Sequence, residues 1–336
     1  MSTYRDAGVD LDAADRLVGR IADDVTATWG PDVVGAFGGF AGGIRLPADV
    51  DDPVLMMSTD GVGTKAEVAR RAGRLQGLGF DLVAMCVDDL AAAGARPIAL
   101  TDYLTVGTMD ETLTTTLIAS VARACAAAGV ALLGGETAVH AGLLDADEFD
   151  LAGTALGVVA GGAVVDGTGV EPGQTVVAVA SPNLRSNGFS LVRSAVLTRI
   201  GLDHELPGDG RPAAEALLEP SVIYAPAIGT LIGRVPVTGL VHVTGGGIAG
   251  NLGRILPAGV AATVDRATWT PPPVFGDVAR IGGVDRDEMF RTFNMGAGFL
   301  VVTTEPDAVI AGLAEAGHEA WACGTVGEGD GASLAG

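Results

Sequence analysis

An apolar run of strand length that ends in glycines and polar side chains recurs along this chain, and it constrains the fold more than any other feature. Pro53 to Met57 runs into Ser58-Thr59-Asp60-Gly61-Val62-Gly63-Thr64-Lys65 and then into the helix-compatible Ala66 to Ala72. Val130 to Leu133 ends in Gly134-Gly135-Glu136-Thr137. Thr175 to Ala180 ends in Ser181-Pro182-Asn183-Leu184-Arg185-Ser186-Asn187-Gly188, and Gly239 to Val243 in Thr244-Gly245-Gly246-Gly247. Such strand ends place ligands at the carboxyl edge of a sheet. Glycine lets the backbone approach a ligand, and an acid, a hydroxyl and an ammonium in one turn are the groups that hold Mg²⁺ and nucleotide phosphates. Asp60 to Lys65 therefore reads as a phosphate site. The G-x-x-x-x-G-K-[ST] spacing is absent, so it is not a P-loop. Lys65 is the only lysine in the chain. A surface lysine beside a turn is the bland alternative, and the neighbouring motifs weigh against it.

A chain of 336 residues, 48% hydrophobic, fits two α/β domains with a sizeable core. With 51 glycines and 4% aromatic residues, packing should rest on Val, Leu and Ala, with many tight turns. The formal charge of −21 argues against a nucleic-acid or acidic-membrane surface, so an anionic substrate must be held locally. Cys86, Cys125 and Cys323 lack a C-x-x-C pairing and read as reduced core residues, and the four histidines lack zinc-ligand spacing. No apolar run reaches the ~18 residues of a membrane helix and no signal-peptide pattern opens the chain, so the expected compartment is the cytoplasm.

Asp12 to Thr28 carries a helical repeat, followed by a glycine-dense loop from Gly35 to Gly43. Leu75 to Ala95 reads as a long helix containing Asp81, Asp88 and Asp89. Acids among apolar neighbours are costly to bury unless paired or holding a metal, although one exposed and one capping acid is an equal alternative for Asp88 and Asp89. Asp60, Asp89 and Glu136 follow separate elements and suggest one convergent Mg²⁺ site. Gly161 to Gly173 marks a domain link, giving residues 1–165 as an N-terminal ATP- and metal-binding, dimerising domain and 170–336 as a C-terminal α/β domain. Ser186-Asn187-Gly188 before a helix at Phe189 is a second anion-site candidate, with an ordinary N-cap as the alternative.

Taken together, Tyr4-Arg5-Asp6-Ala7-Gly8-Val9-Asp10, the Ser58 to Lys65 stretch, the run from Phe80 to Leu90, Gly134 to Thr137, Ser186 to Arg193, His242 to Gly247 and Phe290 to Gly298 resemble the phosphoribosylformylglycinamidine cyclo-ligase (aminoimidazole ribonucleotide synthetase) family, nearly end to end. The resemblance implies a homodimer whose N-terminal domains complete a barrel-like sheet, and an active site between the two domains. It also implies ATP, Mg²⁺ and formylglycinamidine ribonucleotide as ligands, and imidazole ring closure through phosphorylation of the formamide oxygen. Carried over by position, Lys65 with the Asp60, Gly61, Val62, Gly63 and Thr64 backbone would hold phosphates. Asp60, Asp89 and Glu136 would hold the metal, with Gly135 beside it. Arg185, Ser186, Asn187 and Gly188 would line the reacting end of the substrate, and Gly245, Gly246 and Gly247 would close on its phosphate.

The chain departs from the family at Arg185, where histidine is usual, at Thr108, where lysine is usual, and at Arg96, Val139 and His140. These departures are read as clustering near the pocket. Arginine cannot shuttle protons at neutral pH, so its role there would be electrostatic. Two other readings stay open: a relative applying the same ATP chemistry to another amide, thiamine phosphate, selenide or carbamoyl group, and a non-catalytic nucleotide-binding subunit.

Overall fold

A computed structural model describes residues 11–39 and 41–336, and the Tyr4 to Asp10 motif lies outside them. The chain divides into two compact units, residues up to Leu90 with Arg96–Gly161, and Ala91–Ala95 with Gly162–Gly336.

The first unit contains α1 (Leu11–Thr26), a two-residue ribbon of β1 (Val33–Val34) and β2 (Gly43–Ile44), β3 (Pro53–Gly61), α2 (Lys65–Ala72), α3 (Leu78–Ala92), β4 (Arg96–Val106), α4 (Glu111–Ala128), β5 (Ala131–Val139) and β6 (Phe149–Ala160). Its main sheet has the order β3-β6-β4-β5, with the β4–β5 pair parallel and the others antiparallel. Helix α4 starts where the Asp110 carboxylate accepts from Thr112 N and Leu113 N, and it stops at the left-handed Gly129. Helices α3 and α4 pack closely enough that a Cβ on Gly79 would lie 2.2 Å from the Ser120 carbonyl carbon. Leu82, Val83, Cys86, Leu117, Val121 and Cys125 are all fully buried in this layer.

Two expected turns are strand. Ser58 to Gly61 pairs with Ala155 to Ala152 of β6, so β3 runs four residues past Met57. Gly134 to Val139 likewise pairs with Thr101 to Val106, after a register shift between Leu100 and Thr101. The cause is non-local: each glycine-bearing segment meets a neighbouring strand with free ladder positions, and Gly134 absorbs the irregularity at φ 150°.

The second unit contains β7 (Thr175–Ala180), α5 (Phe189–Leu191) running into a π turn at Val192–Val196, α6 (Ala213–Leu217), α7 (Ala225–Leu231), β8 (Gly239–His242), α8 (Gly247–Leu252), β9 (Val260–Asp265), α9 (Pro273–Gly282), α10 (Arg286–Thr292), β10 (Ala297–Thr303), α11 (Pro306–Glu315), β11 (Ala320–Glu328) and β12 (Gly331–Ala335). The sheet order is β12-β9-β11-β7-β10-β8, antiparallel except for the β12–β9 pair. Strands β7 and β10 are interior, each paired on both sides, and every residue of β10 is buried. This explains their unbroken apolar runs, since both faces of the sheet are covered there. Among the described residues, no helix is long and apolar enough to cross a membrane.

Candidate functional site

In the first unit, β3 delivers Asp60, and the backbone then turns through Gly61 to Thr64 into α2. Val62 N donates to Leu151 O at 2.9 Å, Gly61 N donates to Asp60 Oδ1 at 2.7 Å, and Gly63 is exposed at φ 68°. Lys65 takes the opposite direction. Its side chain is fully buried, and Nζ donates to Asp81 Oδ1 of α3 at 2.7 Å. The ammonium expected at the phosphate turn is therefore half of a buried ion pair that ties the start of α2 to α3.

Of the adjacent acids on α3, Asp88 is buried and Asp89 is exposed, and Asp89 Oδ2 accepts from Ser58 Oγ at 3.1 Å. Burial is the main cause that pushes the Cys86 thiol up to about 12, a backbone hydrogen bond at Asp60 opposes it, and the Asp60 and Asp89 carboxylates add to the rise, so both acids act on one thiol. Glu136 does not join them. Asp60, Gly153, Asp102 and Gly135 are successive register partners, so Glu136 falls in the next row, three strands from β3. Neighbouring strands lie about 4.8 Å apart and successive side chains alternate faces, so Glu136 starts about 14 Å away on the opposite face. Among the described residues, no three His, Cys, Asp or Glu side chains gather to hold a metal. The expected three-acid convergence is corrected to a pair, Asp60 and Asp89. Two carboxylates with phosphate oxygens and water suit Mg²⁺, a hard cation that dehydrates reluctantly.

The row also contains an acid that sequence reasoning missed. Asp102 is 8% exposed, and burial pushes its carboxyl up to about 7 while its own backbone amide works the other way. Its Oδ1 would lie 2.2 Å from a Cβ on Gly135, so Gly135 is glycine because a carboxyl group fills that space. An acid inside the apolar stretch Ile98 to Val106 was the available signal.

In the second unit, two loops meet. Gly245 N donates to Asn187 Oδ1 at 3.2 Å, which joins the Ser186-Asn187-Gly188 loop to the triple-glycine loop. Asn251 Nδ2 donates to Gly247 O at 2.8 Å and to Thr244 O at 3.2 Å, pinning the glycine turn from α8. A Cβ on Gly247 would lie 1.9 Å from Phe290 O, and one on Gly188, at φ 77°, would lie 2.1 Å from the Phe293 ring. The Phe290 to Gly296 segment thus forms the underside of both loops, a role no local pattern announces.

Arg185 differs most from expectation. It is fully buried at φ 59°, with Nη2 donating to Val222 O at 3.0 Å, Nη1 to Gly298 O at 3.5 Å, and the guanidinium 4.8 Å from the Tyr224 ring centroid. The structure buries its side chain within the second unit. Three of the other departures meet at one end of the first unit's sheet, where Val139 is the register partner of Val106, His140 N donates to Val106 O at 2.8 Å and Thr108 follows two residues on. Arg96 forms an exposed ion pair with Asp49 at 3.0 Å, six residues from Asp102 along β4, about 20 Å at 3.3 Å per residue. Thr108 lines a cavity of about 530 Å³ with Asp110, Glu111, Asp147 and Glu148. Val139 and His140 are half-buried at the end of β5. Within the first unit, Arg96, at the other end of β4, stands apart from the other three departures.

The model of the N-terminal domain of AIR synthase related proteins matches residues 41–159, and that of the C-terminal domain matches residues 171–336. A curated relative from Anaeromyxobacter dehalogenans, named phosphoribosylformylglycinamidine cyclo-ligase, is 46% identical over 328 residues, covering 96% of this chain and 95% of its own length. Thiamine-monophosphate kinase from Stenotrophomonas maltophilia has a similar fold, with a TM-score of 0.72 at 20% identity, covering 94% of this chain and 96% of that one. The hydrogenase maturation protein HypE in complex with ATP aligns with a TM-score of 0.63 at 20% identity, over 94% of this chain and 86% of that one.

Proposed function

The chain belongs to the phosphoribosylformylglycinamidine cyclo-ligase family, and from that premise we propose that this C–N ligase closes the imidazole ring of aminoimidazole ribonucleotide in purine biosynthesis, in the cytoplasm, at the expense of ATP. The observation that carries the reading is 46% identity across 96% of the chain to a relative bearing that name.

An amide oxygen leaves poorly as hydroxide, and phosphorylation makes it a good leaving group. The formamide oxygen of formylglycinamidine ribonucleotide attacks the γ-phosphorus of ATP and ADP departs. The neighbouring amidine nitrogen then attacks the activated carbon, the C–O bond breaks with release of phosphate, and a proton is lost as the ring becomes aromatic. Such chemistry asks a protein for positioning and charge stabilisation more than for a nucleophile. Asp60 and Asp89 would hold Mg²⁺, which would neutralise phosphate charge. The Gly61 to Thr64 backbone would take the phosphates. Lys65 would lend its charge from beneath while its pairing with Asp81 fixes the helix start. Ser186 and Asn187 would meet the reacting end, and Gly245 to Gly247 would close on the substrate phosphate.

A homodimer through the first unit belongs to the same reading. Support comes from the outer face of β3, β6 and β4, where Leu55 is 50%, Met57 70% and Tyr103 44% exposed. An apolar sheet face of this kind marks an interaction surface.

The test is ADP release from Mg-ATP with and without formylglycinamidine ribonucleotide, together with detection of the aminoimidazole product. Substrate-dependent ADP matched one-for-one by product is expected. ATP binding without substrate-dependent turnover would overturn the reading.

A further inference from the structure

Arg185 stands one residue before the loop proposed to meet the substrate, yet its side chain points into the core. Its backbone adopts φ 59°, a left-handed conformation that costs a side-chain-bearing residue strain, so the surroundings must impose it. The imposing contacts are on both sides of the residue. Arg185 N donates to Asn183 Oδ1 at 2.9 Å, and Asn183 is itself fixed by Nδ2 donating to Pro220 O at 2.9 Å and by its carbonyl accepting from Asn294 Nδ2 at 3.0 Å. The guanidinium donates to Val222 O and Gly298 O and lies over Tyr224, whose hydroxyl donates to Ala180 O at 2.8 Å. These anchors sit on β7, on β10 and on the stretch before α7. A planar fork that can donate to two carbonyls while lying on a ring is a geometry lysine cannot reproduce. Two residues on, Asn187 accepts from Gly245 N, so any shift at Arg185 is passed to both loops.

We propose that Arg185 is a positioning residue for the Ser186-Asn187-Gly188 loop, a cation held in the core that sets this loop against Gly245 without touching the reacting atoms. The inference rests on the cyclo-ligase reading only for the reaction it serves; the loop geometry stands without it. Titratable groups near the guanidinium include the Tyr224 phenol and, 5.7 Å beyond that ring, the His318 imidazole.

The experiment compares wild type with Arg185→Lys, Arg185→Gln and Arg185→His, measuring kcat and KM for both substrates at about pH 6 and pH 8. Amide exchange at Arg185 and Gly245 is read in parallel. Arg185→Gln should lose about 100-fold in kcat, the scale of a one-ångström misplacement, with KM for ATP little changed. Arg185→Lys keeps the charge without the fork and should fall between. Arg185→His should be more active near pH 6 than pH 8 relative to wild type, because only the imidazolium has two donors, with an ordinary pKa of about 6.5. In each variant, exchange at Arg185 and Gly245 should quicken while the rest of the second unit holds its protection. Three results overturn the proposal: unchanged exchange at both amides, wild-type kcat in Arg185→Gln with only a lowered Tm, or Arg185→His activity that rises with pH as for a proton acceptor. Should Arg185→Gln not fold, Arg185→Lys carries the decision by the same two readouts. A wild-type protein without turnover would sink the cyclo-ligase reading, while the exchange rates would still decide the role of Arg185.

Discussion

Each unit carries one fully buried cation beside its candidate loop, and the two are held in different ways. Lys65 meets a carboxylate, Asp81, with both side chains at most 1% exposed. Arg185 meets two backbone carbonyls and an aromatic face. The difference follows from the shapes of the ions. An ammonium is a compact, strongly hydrated point charge, and giving up its water calls for a full opposite charge at close range. A guanidinium is planar and weakly hydrated, so dipoles in its plane and a ring on its face can contribute to holding it. In a chain that otherwise uses arginine for every basic position, the one lysine sits where a helix offers a carboxylate 2.7 Å away.

The largest expected effect tests the first half of this contrast. Lys65→Met leaves Asp81 buried without its cation and should cost about 3–5 kcal/mol in urea unfolding, as breaking one side of a buried pair does. Lys65→Met with Asp81→Leu removes both charges and should recover most of that loss. If the charge of Lys65 serves the phosphates, the double variant regains stability but not kcat. A single variant costing less than about 1 kcal/mol would mean that the pair is not the anchor described, and the contrast with Arg185 would fail.

Asp102 sharpens the comparison, since it is a buried acid of the same unit whose carboxyl rises where that of a salt-bridged acid would fall. Its folded value of about 7 lies above the ordinary value of about 3.9. Between the two, the native state keeps a proton that the unfolded state has released. Stability from this group is therefore complete below about pH 4, declines as pH rises, and is lost once pH passes about 7. The expected decline is about 4 kcal/mol, on 1.36 kcal/mol per pKa unit. Asp102→Asn should flatten this part of the pH–stability curve, with its advantage over wild type greatest near pH 8. A wild-type curve already flat from pH 4 to 8 would show that Asp102 is ionised with an unrecognised partner.

Much of the fold was legible in the sequence because local pattern decides it. The helices around Leu78–Ala92 and Glu111–Ala128 follow from apolar periodicity, and the interior strands β7 and β10 from apolar runs. Strands β9 and β12 were not seen. Val260–Asp265 and Gly331–Ala335 are short and rich in small residues, and become strands by pairing with each other and with β11. The site was legible as loops but not as directions. Asp60, Asn187 and Gly245 stand at the ends of strands or in turns, as their patterns required. Whether Lys65 or Arg185 faces water or core depends on Asp81, sixteen residues on, and on Tyr224 and Gly298, which no spacing rule links to them. The metal reading failed at Glu136 for a related reason. A turn can aim its acid freely, whereas a strand fixes the face, and Glu136 is in β5.

The smallest expected effect separates the two things Tyr224 does. Its hydroxyl donates to Ala180 O at 2.8 Å, and its ring lies under the Arg185 guanidinium. The same hydroxyl would lie 2.2 Å from a Cβ on Gly298, so the ring is confined between β7 and β10. Tyr224→Phe removes one hydrogen bond and should cost about 1 kcal/mol, leaving the ring and its contact with the cation in place. Loop geometry, and with it kcat, should therefore hold in Tyr224→Phe. Tyr224→Leu removes the aromatic face as well and should add a further loss of about 1–2 kcal/mol for a desolvated cation–ring contact, accompanied by a fall in kcat. Urea unfolding together with steady-state rates distinguishes the cases. If Leu is tolerated as well as Phe, the ring adds nothing to what holds the guanidinium, and the contrast drawn between the two buried cations loses its aromatic half.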